Sequence, residues 1–153
     1  MAKHTHSRGF TLPELLICVL VLVLLATMGL AQYKQYVEKS RHAPDLTNMR
    51  AAYDEAVYAY MTTNQPGDWL YDAQTGQLVT DYVPDGYGQS HSHPEGEQGW
   101  LQQYDVPFTA SGLPKAGNVS RLLHVSVDEN GTVTMEWCDP TDGKAYLIPQ
   151  TEP

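Results

Sequence analysis

The feature that most constrains this chain is an uncharged run of nineteen residues from Leu15 to Tyr33. Each residue of an α-helix adds ~1.5 Å, so a helix of this length spans most of the ~30 Å hydrocarbon core of a bilayer. The run therefore predicts a helix that inserts into a membrane or packs inside an equally apolar assembly. A short leader that carries two cations, Lys3 and Arg8, precedes it.

One carboxylate, Glu14, stands at the entrance to this run. A carboxylate next to lipid costs roughly 2–4 kcal/mol, so an acid within a membrane segment usually has a partner or a function. A local explanation is also available, because Thr11 and Glu14 have the spacing of a capping box and Pro13 suits a first helical turn. Capping and a functional role are compatible, and the residues alone leave both open.

The string from Gly9 to Leu16, G-F-T-L-P-E-L-L, resembles the N terminus of a type IV prepilin or pseudopilin. The resemblance implies that a membrane-bound prepilin peptidase cuts between Gly9 and Phe10 and then N-methylates Phe10. It also implies that Glu14 pairs with the N-terminal amine of a neighbouring subunit inside a filament. It covers about Arg8 to Tyr36 and does not concern the rest of the chain.

The chain departs from the family pattern at several positions. Ala31 and Val23 stand where many pilins have a proline and a glycine, which predicts a straighter membrane segment. The two cysteines, Cys18 in the apolar run and Cys138 in the soluble part, do not offer the C-terminal disulfide of many large pilins.

A secretory signal is the competing interpretation of the N terminus. Gly29 to Ala31 offer small residues for a cut that would leave Gln32 as the first residue. The position of Glu14 and the length of the apolar run argue against it. Cations flank the run on both sides and leave its orientation ambiguous. The prepilin resemblance implies a cytoplasmic leader, with the remainder facing outward.

Beyond the apolar run the helix is predicted to continue to about Thr62 and to carry one apolar stripe, because apolar residues recur at spacings of three and four. Pro44 predicts a kink or short break near residues 42–45. The stripe consists of Leu46, Met49, Tyr53, Ala56, Val57 and Tyr60. The predicted divisions are a leader at 1–9, a transmembrane and filament-core helix at 10–33, an amphipathic helix at 34–62 and a β head at 63–153 with a long loop at 63–100.

The C-terminal third has the strongest strand signal. Asn130 and Gly131 separate two alternating runs and predict a tight hairpin in which both turn residues have positive φ. A turn is predicted at 139–143 and an exposed loop at 85–99. The predicted strands are Leu122–Asp128, Thr132–Trp137, Gln77–Tyr82, Tyr104–Thr109 and Lys144–Ile148. The fold class is therefore α+β, a long N-terminal helix packed on a small antiparallel sheet, as in type IV pilins.

The charge of the chain disfavours nucleic acid as a partner. Loss of Lys3 and Arg8 with the leader leaves seven basic and eighteen acidic side chains, a net charge of −11. From Ala51 onward three basic and fifteen acidic residues give −12. Such a head repels phosphate backbones, whose binding needs Lys and Arg, and it keeps a filament surface solvated.

Catalytic and metal signals are weak. His91 and His93, with Glu95 and Asp85 nearby, resemble metal ligands, but they lie in a segment rich in Gly, Pro and Ser, and a metal site needs rigid placement. Two further carboxylates, Asp139 and Asp142, could bind calcium, although turn formation explains them more simply. We expect no enzymatic activity, no cofactor and no metal.

The resemblance implies a structural subunit of a type IV pilus-like filament. Its expected partners are prepilin peptidase, other pilin subunits, an inner-membrane assembly platform and, before assembly, membrane lipid. Its expected location is a single pass in the cytoplasmic membrane, followed by an extracellular or cell-envelope filament. The alternatives are a pseudopilin of a type II secretion or competence system and a single-pass membrane protein that does not polymerise.

Overall fold

The computed structural model describes residues 9–91, 101 and 104–142 of the chain. The chain divides into two compact units, Met1–Val37 and Glu38–Pro153. The expected strand at Lys144–Ile148 lies outside the described residues.

A single helix, α1, runs from Leu12 to Thr63. It begins directly after Thr11, whose carbonyl accepts the first helical hydrogen bond from Leu15 N–H at 3.2 Å. It ends before Asn64, which adopts φ 51° and donates its N–H to Tyr60 O at 2.7 Å. A left-handed residue after the last turn is a common helix C-cap, and asparagine tolerates that conformation. The long helix predicted from the sequence is confirmed.

The sequence predicts a kink or short break near residues 42–45, and the break does not occur, because Pro44 lies inside α1. A proline within a helix costs about 3 kcal/mol through a lost hydrogen bond and a clash with the preceding turn. The helix continues because both sides of the proline are held by tertiary contacts. His42, Asp45 and Met49 are all buried against the rest of their unit.

The seven strands form two sheets. The larger sheet has five strands in the order β2-β1-β6-β7-β3. All neighbours in it are antiparallel except β3 and β7, which are parallel. The second is the antiparallel hairpin β4–β5. The strands are β1 Gly67–Asp72, β2 Gln77–Val79, β3 Thr109–Ser111, β4 Lys115–Ala116, β5 Val119–Ser120, β6 Leu122–Val127 and β7 Val133–Cys138. The α+β fold is confirmed.

The core lies between the second half of α1 and one face of the five-stranded sheet. On the helix side, Met49, Ala52 and Ala56 are completely buried. Two of these three residues are alanines, so most of the large side chains in this layer come from the sheet. On the sheet side, the contact is made by Tyr71, Leu123, Val125, Val127, Val133, Met135 and Trp137. Burying a large apolar side chain stabilises a fold by about 1.5–3 kcal/mol, so this layer is the main source of stability in the unit.

Strand β1 was not predicted from the sequence, which gives turn signals at Pro66-Gly67 and polar residues around it. In the structure Trp69 pairs with Val125 and Tyr71 with Leu123. The segment becomes a strand because it completes the sheet beside β6. The strand expected at Gln77–Tyr82 forms over Gln77–Val79 only. The strand expected at Tyr104–Thr109 is wrong except at its last residue, because β3 spans Thr109–Ser111.

The hairpin between β6 and β7 forms as expected, but its turn differs. Only Gly131 has positive φ, at 77°, and its N–H bonds to Asp128 O at 3.0 Å. This is a three-residue loop that ends in a left-handed glycine, not a two-residue turn. The Asp128 carboxylate favours it by accepting the N–H groups of Asn130 and Thr132, both at 2.8 Å.

Residues 86–91, called the strap from here on, belong to the loop that was expected to be exposed. The structure instead packs the strap closely, with Gly88 and Ser90 buried. The N–H groups of Tyr87 and Gly88 bond to Arg121 O at 3.1 and 3.2 Å. A Cβ on Gly88 would lie 1.7 Å from Pro114 O, so a larger residue cannot replace it without moving the backbone.

Asp45 fastens the strap to α1. Its two carboxylate oxygens accept the N–H of Gln89 at 2.9 Å and the N–H of Ser90 at 2.9 Å, and the Ser90 hydroxyl also bonds to it. Burial raises the pKa of Asp45, while these bonds and the nearby His42 act in the opposite direction. A buried carboxylate thus replaces the apolar contacts that a loop of this composition lacks.

We predict that Gly131→Ala destabilises the head by about 1–2 kcal/mol, because a left-handed conformation is strained for any residue with a Cβ. The added Cβ would also lie 2.9 Å from Tyr60 Cε1. Asn130→Ala is the matched control and should change stability by less than about 0.5 kcal/mol. Urea unfolding followed by tryptophan fluorescence measures both. Equal losses would indicate a two-residue turn with both residues at positive φ.

We predict that Asp45→Asn destabilises the head by about 1–3 kcal/mol, because the amide NH₂ must then face a backbone N–H donor that is buried with it. The exposed Asp54→Asn on the same helix is the control and should be near neutral. Hydrogen exchange at residues 87–90 should rise only in the first variant. Unchanged exchange there would show that Asp45 does not hold the strap.

Candidate functional site at the N-terminal junction

Gly9 and Phe10 form an accessible segment in front of α1. The Phe10 side chain is 80% exposed. A Cβ built on Gly9 meets no atom within 4 Å. The fold of the chain therefore leaves room for a larger residue at position 9.

Glu14 caps the helix on which it lies. Its Oε2 accepts the backbone N–H of Thr11 at 3.0 Å and the Thr11 hydroxyl at 2.7 Å. The carboxylate thus supplies the half of the predicted capping box that reaches back to the N-cap amide. The hydroxyl donates to the carboxylate, whereas in a full capping box it accepts a bond from the amide three residues on.

Both of these bonds use the same carboxylate oxygen. An ionised carboxylate has two oxygens and about four acceptor positions. Capping by Thr11 therefore leaves Glu14 able to accept a further donor, and a cation would be the strongest one. The geometry makes the local role and a recognition role compatible.

The apolar run is exposed along its length. Its large apolar side chains at positions 15–25 are between 48% and 64% exposed. Among the described residues, α1 is the one helix that is long and apolar enough to cross a membrane. Leaving this much apolar surface in water is unfavourable, so the run needs a membrane or other helices around it.

Both cysteines are free. Cys18 is exposed on the apolar run, and Cys138 is buried at the end of β7. Burial raises the pKa of Cys138 to about 11, so its thiol is almost wholly protonated and unreactive at neutral pH.

His91, one of the possible metal ligands, has both ring nitrogens engaged. Its Nδ1 lies 2.9 Å from Arg41 Nη1, and its Nε2 lies 3.0 Å from Gly117 O. A guanidinium beside Nδ1 disfavours a metal ion there. His93 and Glu95 lie outside the described residues. Within residues 9–91, 101 and 104–142 no group of three or more possible metal ligands comes together.

Asp139 serves the turn that follows β7. Its Oδ1 accepts the N–H and the hydroxyl of Thr141 at 3.0 and 2.7 Å. The N–H of Asp142 bonds to Asp139 O at 2.9 Å. These hydrogen bonds, above all the one from the Thr141 backbone, lower the pKa of Asp139. The predicted turn is confirmed over its described residues.

Sequence reasoning missed a polar network between α1 and the strap. Glu38 accepts the His91 N–H, and its Oε2 lies 3.3 Å from Arg41 Nη1. Asp45 holds the strap about two turns further along α1. The partners are more than forty residues apart in the chain, so no local spacing could have shown the network. The one available signal was the presence of charged residues beside the apolar stripe.

The comparisons with known proteins agree with the prepilin resemblance at the N-terminal junction. Residues 4–30 match the family described as the prokaryotic N-terminal methylation motif. The chain is 24% identical over 148 residues to the type IV major pilin protein PilA of Myxococcus xanthus (strain DK1622). That alignment covers 95% of this chain and 60% of the relative, so the chain spans about three fifths of the relative's length. No solved structure gives a significant match.

The start of the exposed apolar helix and its capped acidic entrance lie within the residues that match the methylation motif. With the methylation motif and the pilin relative, they support membership of the type IV pilin family. The chain is therefore similar to type IV pilins, most specifically over residues 4–30.

We predict that Thr11→Ala frays the first turn of α1, because it removes the hydroxyl that holds the Glu14 carboxylate against the Thr11 N–H. Amide exchange at Leu15, whose N–H donates to Thr11 O, should become faster in the full chain in detergent micelles. Thr27→Ala removes a hydroxyl that bonds Leu24 O within the same helix and is the control. Equal exchange in both variants would contradict a capping role for Thr11.

Proposed function

We propose that this chain is a subunit of a type IV pilus-like filament, processed after Gly9 and assembled through the N-terminal part of α1. The observation that carries the proposal is the exposed apolar run with a single carboxylate at its entrance. A helix of this kind has two stable environments, a lipid bilayer and a bundle of similar helices. A filament subunit has to occupy both in turn.

The unhindered Gly9 supports cleavage at this junction. Its own fold does not demand a glycine, so the small residue fits a peptidase that binds the segment in an extended form. Cleavage between Gly9 and Phe10 creates a new amine on Phe10, and methylation of that amine keeps its positive charge. Phe10 is exposed and therefore accessible to both reactions.

In this proposal Glu14 gives the assembly its axial register. A carboxylate surrounded by apolar helices is costly unless a cation accompanies it. The Phe10 amine of a neighbouring subunit supplies that cation, while Thr11 continues to occupy Oε2. Because this pair is the polar contact within an otherwise apolar bundle, it selects one alignment of the two helices.

Several further features agree with a filament. The relative from Myxococcus xanthus is named a major pilin, and the alignment with it covers 95% of this chain. The head facing outward, with a net charge of −12 from Ala51 onward, gives the filament a solvated surface and disfavours nucleic acid as a partner. The proposed partners are prepilin peptidase, other pilin subunits, an inner-membrane assembly platform and, before assembly, membrane lipid.

A pseudopilin of a type II secretion or competence system is the second candidate, because the same junction and helix serve both kinds of assembly. The two differ in abundance and in whether long surface filaments form. A single-pass protein that does not polymerise is a third possibility, which predicts that the junction remains uncut.

We predict that the mature protein from its native host begins at N-methylated Phe10. Intact mass and N-terminal fragmentation measure this directly. A chain that begins at Gln32 would indicate a secretory signal, and an uncut chain would indicate a membrane protein outside the pilin pathway. Either result would remove the argument for a filament.

We predict that Glu14→Ala abolishes or strongly reduces filaments while cleavage after Gly9 continues. The physical reason is that the Phe10 amine then enters the bundle without a counter-charge. Thr11→Ala is the matched control, because it weakens the cap and keeps the carboxylate. Filament yield by electron microscopy, with processing followed by mass, separates the two roles. Filaments at wild-type yield from Glu14→Ala would contradict the register role.

A further inference from the structure

The turn between β6 and β7 contains a reactive pair of residues, Asn130 and Gly131, that the proposed function does not use. Asparagine is one of the chemically labile residues of proteins, because its side-chain amide can react with the backbone nitrogen of the next residue. A glycine in the next position leaves that nitrogen unshielded, since glycine has no Cβ. The chain has four asparagines, and Asn130 is the one that a glycine follows.

The reaction needs water as its one co-reactant. The Gly131 nitrogen loses its proton to a base in the solvent and attacks Cγ of Asn130. The side-chain nitrogen takes up a proton and leaves as ammonia, which closes a five-membered succinimide. One water molecule then opens the ring. Opening at one carbonyl gives aspartate, and opening at the other gives isoaspartate, in which the main chain passes through the side-chain methylene.

The place of the pair in the fold gives solvent access to it. Asn130 lies at the tip of the hairpin, and its side chain is exposed together with those of Asp128 and Glu129. The paired residues of the two strands end at Val127 and Val133, below the turn. Water and base therefore reach Asn130 in the folded head.

The conformation of the turn opposes the reaction. The Gly131 N–H donates to Asp128 O at 3.0 Å. Attack on Asn130 requires the peptide unit between Asn130 and Gly131 to rotate, which takes this N–H out of its bond. The nitrogen must also lose that proton, and a hydrogen-bonded amide proton is lost when the structure opens locally. The reaction therefore proceeds in molecules whose turn has opened.

The Asp128 carboxylate holds the peptide units on both sides of the reacting one. Its Oδ1 accepts the N–H of Asn130 and the N–H of Thr132, both at 2.8 Å. Hydrogen bonds, above all the one from the Thr132 backbone, lower the pKa of Asp128. The carboxylate is consequently ionised at neutral and alkaline pH, where the base that starts the reaction is available.

We propose that Asn130 is a site of spontaneous deamidation whose rate is set by the opening of the β6–β7 turn, and that Asp128 is the positioning residue that keeps this turn closed. The inference does not depend on the proposed function. Each product carries a new negative charge beside Asp128 and Glu129. The isoaspartyl product cannot rebuild the same turn, because its main chain is longer.

The expected size of the effect follows from the two bonds that Asp128 accepts. The net contribution of one hydrogen bond corresponds to a factor of about 2 to 13 in an equilibrium constant. Loss of both bonds should therefore raise the population of the open turn, and with it the rate of deamidation at Asn130, by roughly tenfold.

The test follows deamidation of the full chain in detergent micelles at mildly alkaline pH, with tryptic digestion and mass spectrometry. Asn130 is the single side-chain amide of the peptide Leu122–Lys144, and Asn118 is that of Ala116–Arg121. The mass increase of each peptide therefore reports one asparagine. We expect slow conversion of Asn130 in the folded chain. In urea its conversion should be much faster and should exceed that of Asn118, which valine follows.

Three variants make the test specific. Asp128→Ala should raise the rate at Asn130 in the folded chain roughly tenfold. Glu129→Ala is the matched control, because it removes a neighbouring exposed carboxylate and leaves the bonds of the turn in place. Asp128→Asn should restore the slow rate, since its amide oxygen can accept the same N–H groups. Fragmentation of the peptide distinguishes conversion at residue 128 from conversion at residue 130.

The outcomes that would overturn the proposal are distinct. Equal rates at Asn130 in the folded chain and in urea would show that the turn does not restrain the reaction. A rate in Asp128→Ala no higher than in Glu129→Ala would remove the role of Asp128. Faster conversion of Asn118 as well as Asn130 in Asp128→Ala would indicate opening of the whole head. None of these results affects the filament proposal.

Discussion

The contact between the second half of α1 and one face of the sheet is the interaction on which the head depends. Ala52, Ala56 and Met49 are completely buried in it. Because this layer supplies most of the buried apolar surface, the helix can include Pro44 without breaking. The same contact places Tyr60 over the β6–β7 turn, where its hydroxyl donates to Glu129 O at 2.9 Å. Packing therefore determines both the course of the helix and the geometry of a distant turn.

Polar contacts hold the strap in place, whereas apolar packing holds the sheet. Residues 86–91 contain no large aliphatic side chain that could hold them in the core. Two acids on α1, Glu38 and Asp45, bind the strap through its own N–H groups, and Arg121 O binds it from the other side. Such contacts are directional, so they fix the position of His91 and, through it, the β4–β5 hairpin. The position of the β4–β5 hairpin is in this way a consequence of hydrogen bonding within the head.

The N-terminal junction differs from the head, because its large apolar side chains are exposed in the isolated chain. Phe10 and the apolar run are exposed, and Gly9 has space around it that the chain does not fill. Glu14 satisfies the first turn with one oxygen and keeps acceptor capacity on its carboxylate. A segment with these properties is stable in lipid or in a bundle of its own kind, and the pilin family makes use of both environments.

The sequence by itself determined the features that rest on local patterns. These are the apolar run from Leu15 to Tyr33, the capped junction at Gly9 to Glu14, the apolar stripe of α1 and the two strands around Asn130. Helical and strand periodicities and capping spacings are visible over a few residues, so each of these could be predicted. Tertiary structure alone decided strand β1, the continuation of α1 through Pro44, the three-residue turn at Gly131 and the burial of the strap. In each of these cases the local signal was weak or pointed elsewhere, and contacts with residues distant in the chain outweighed it.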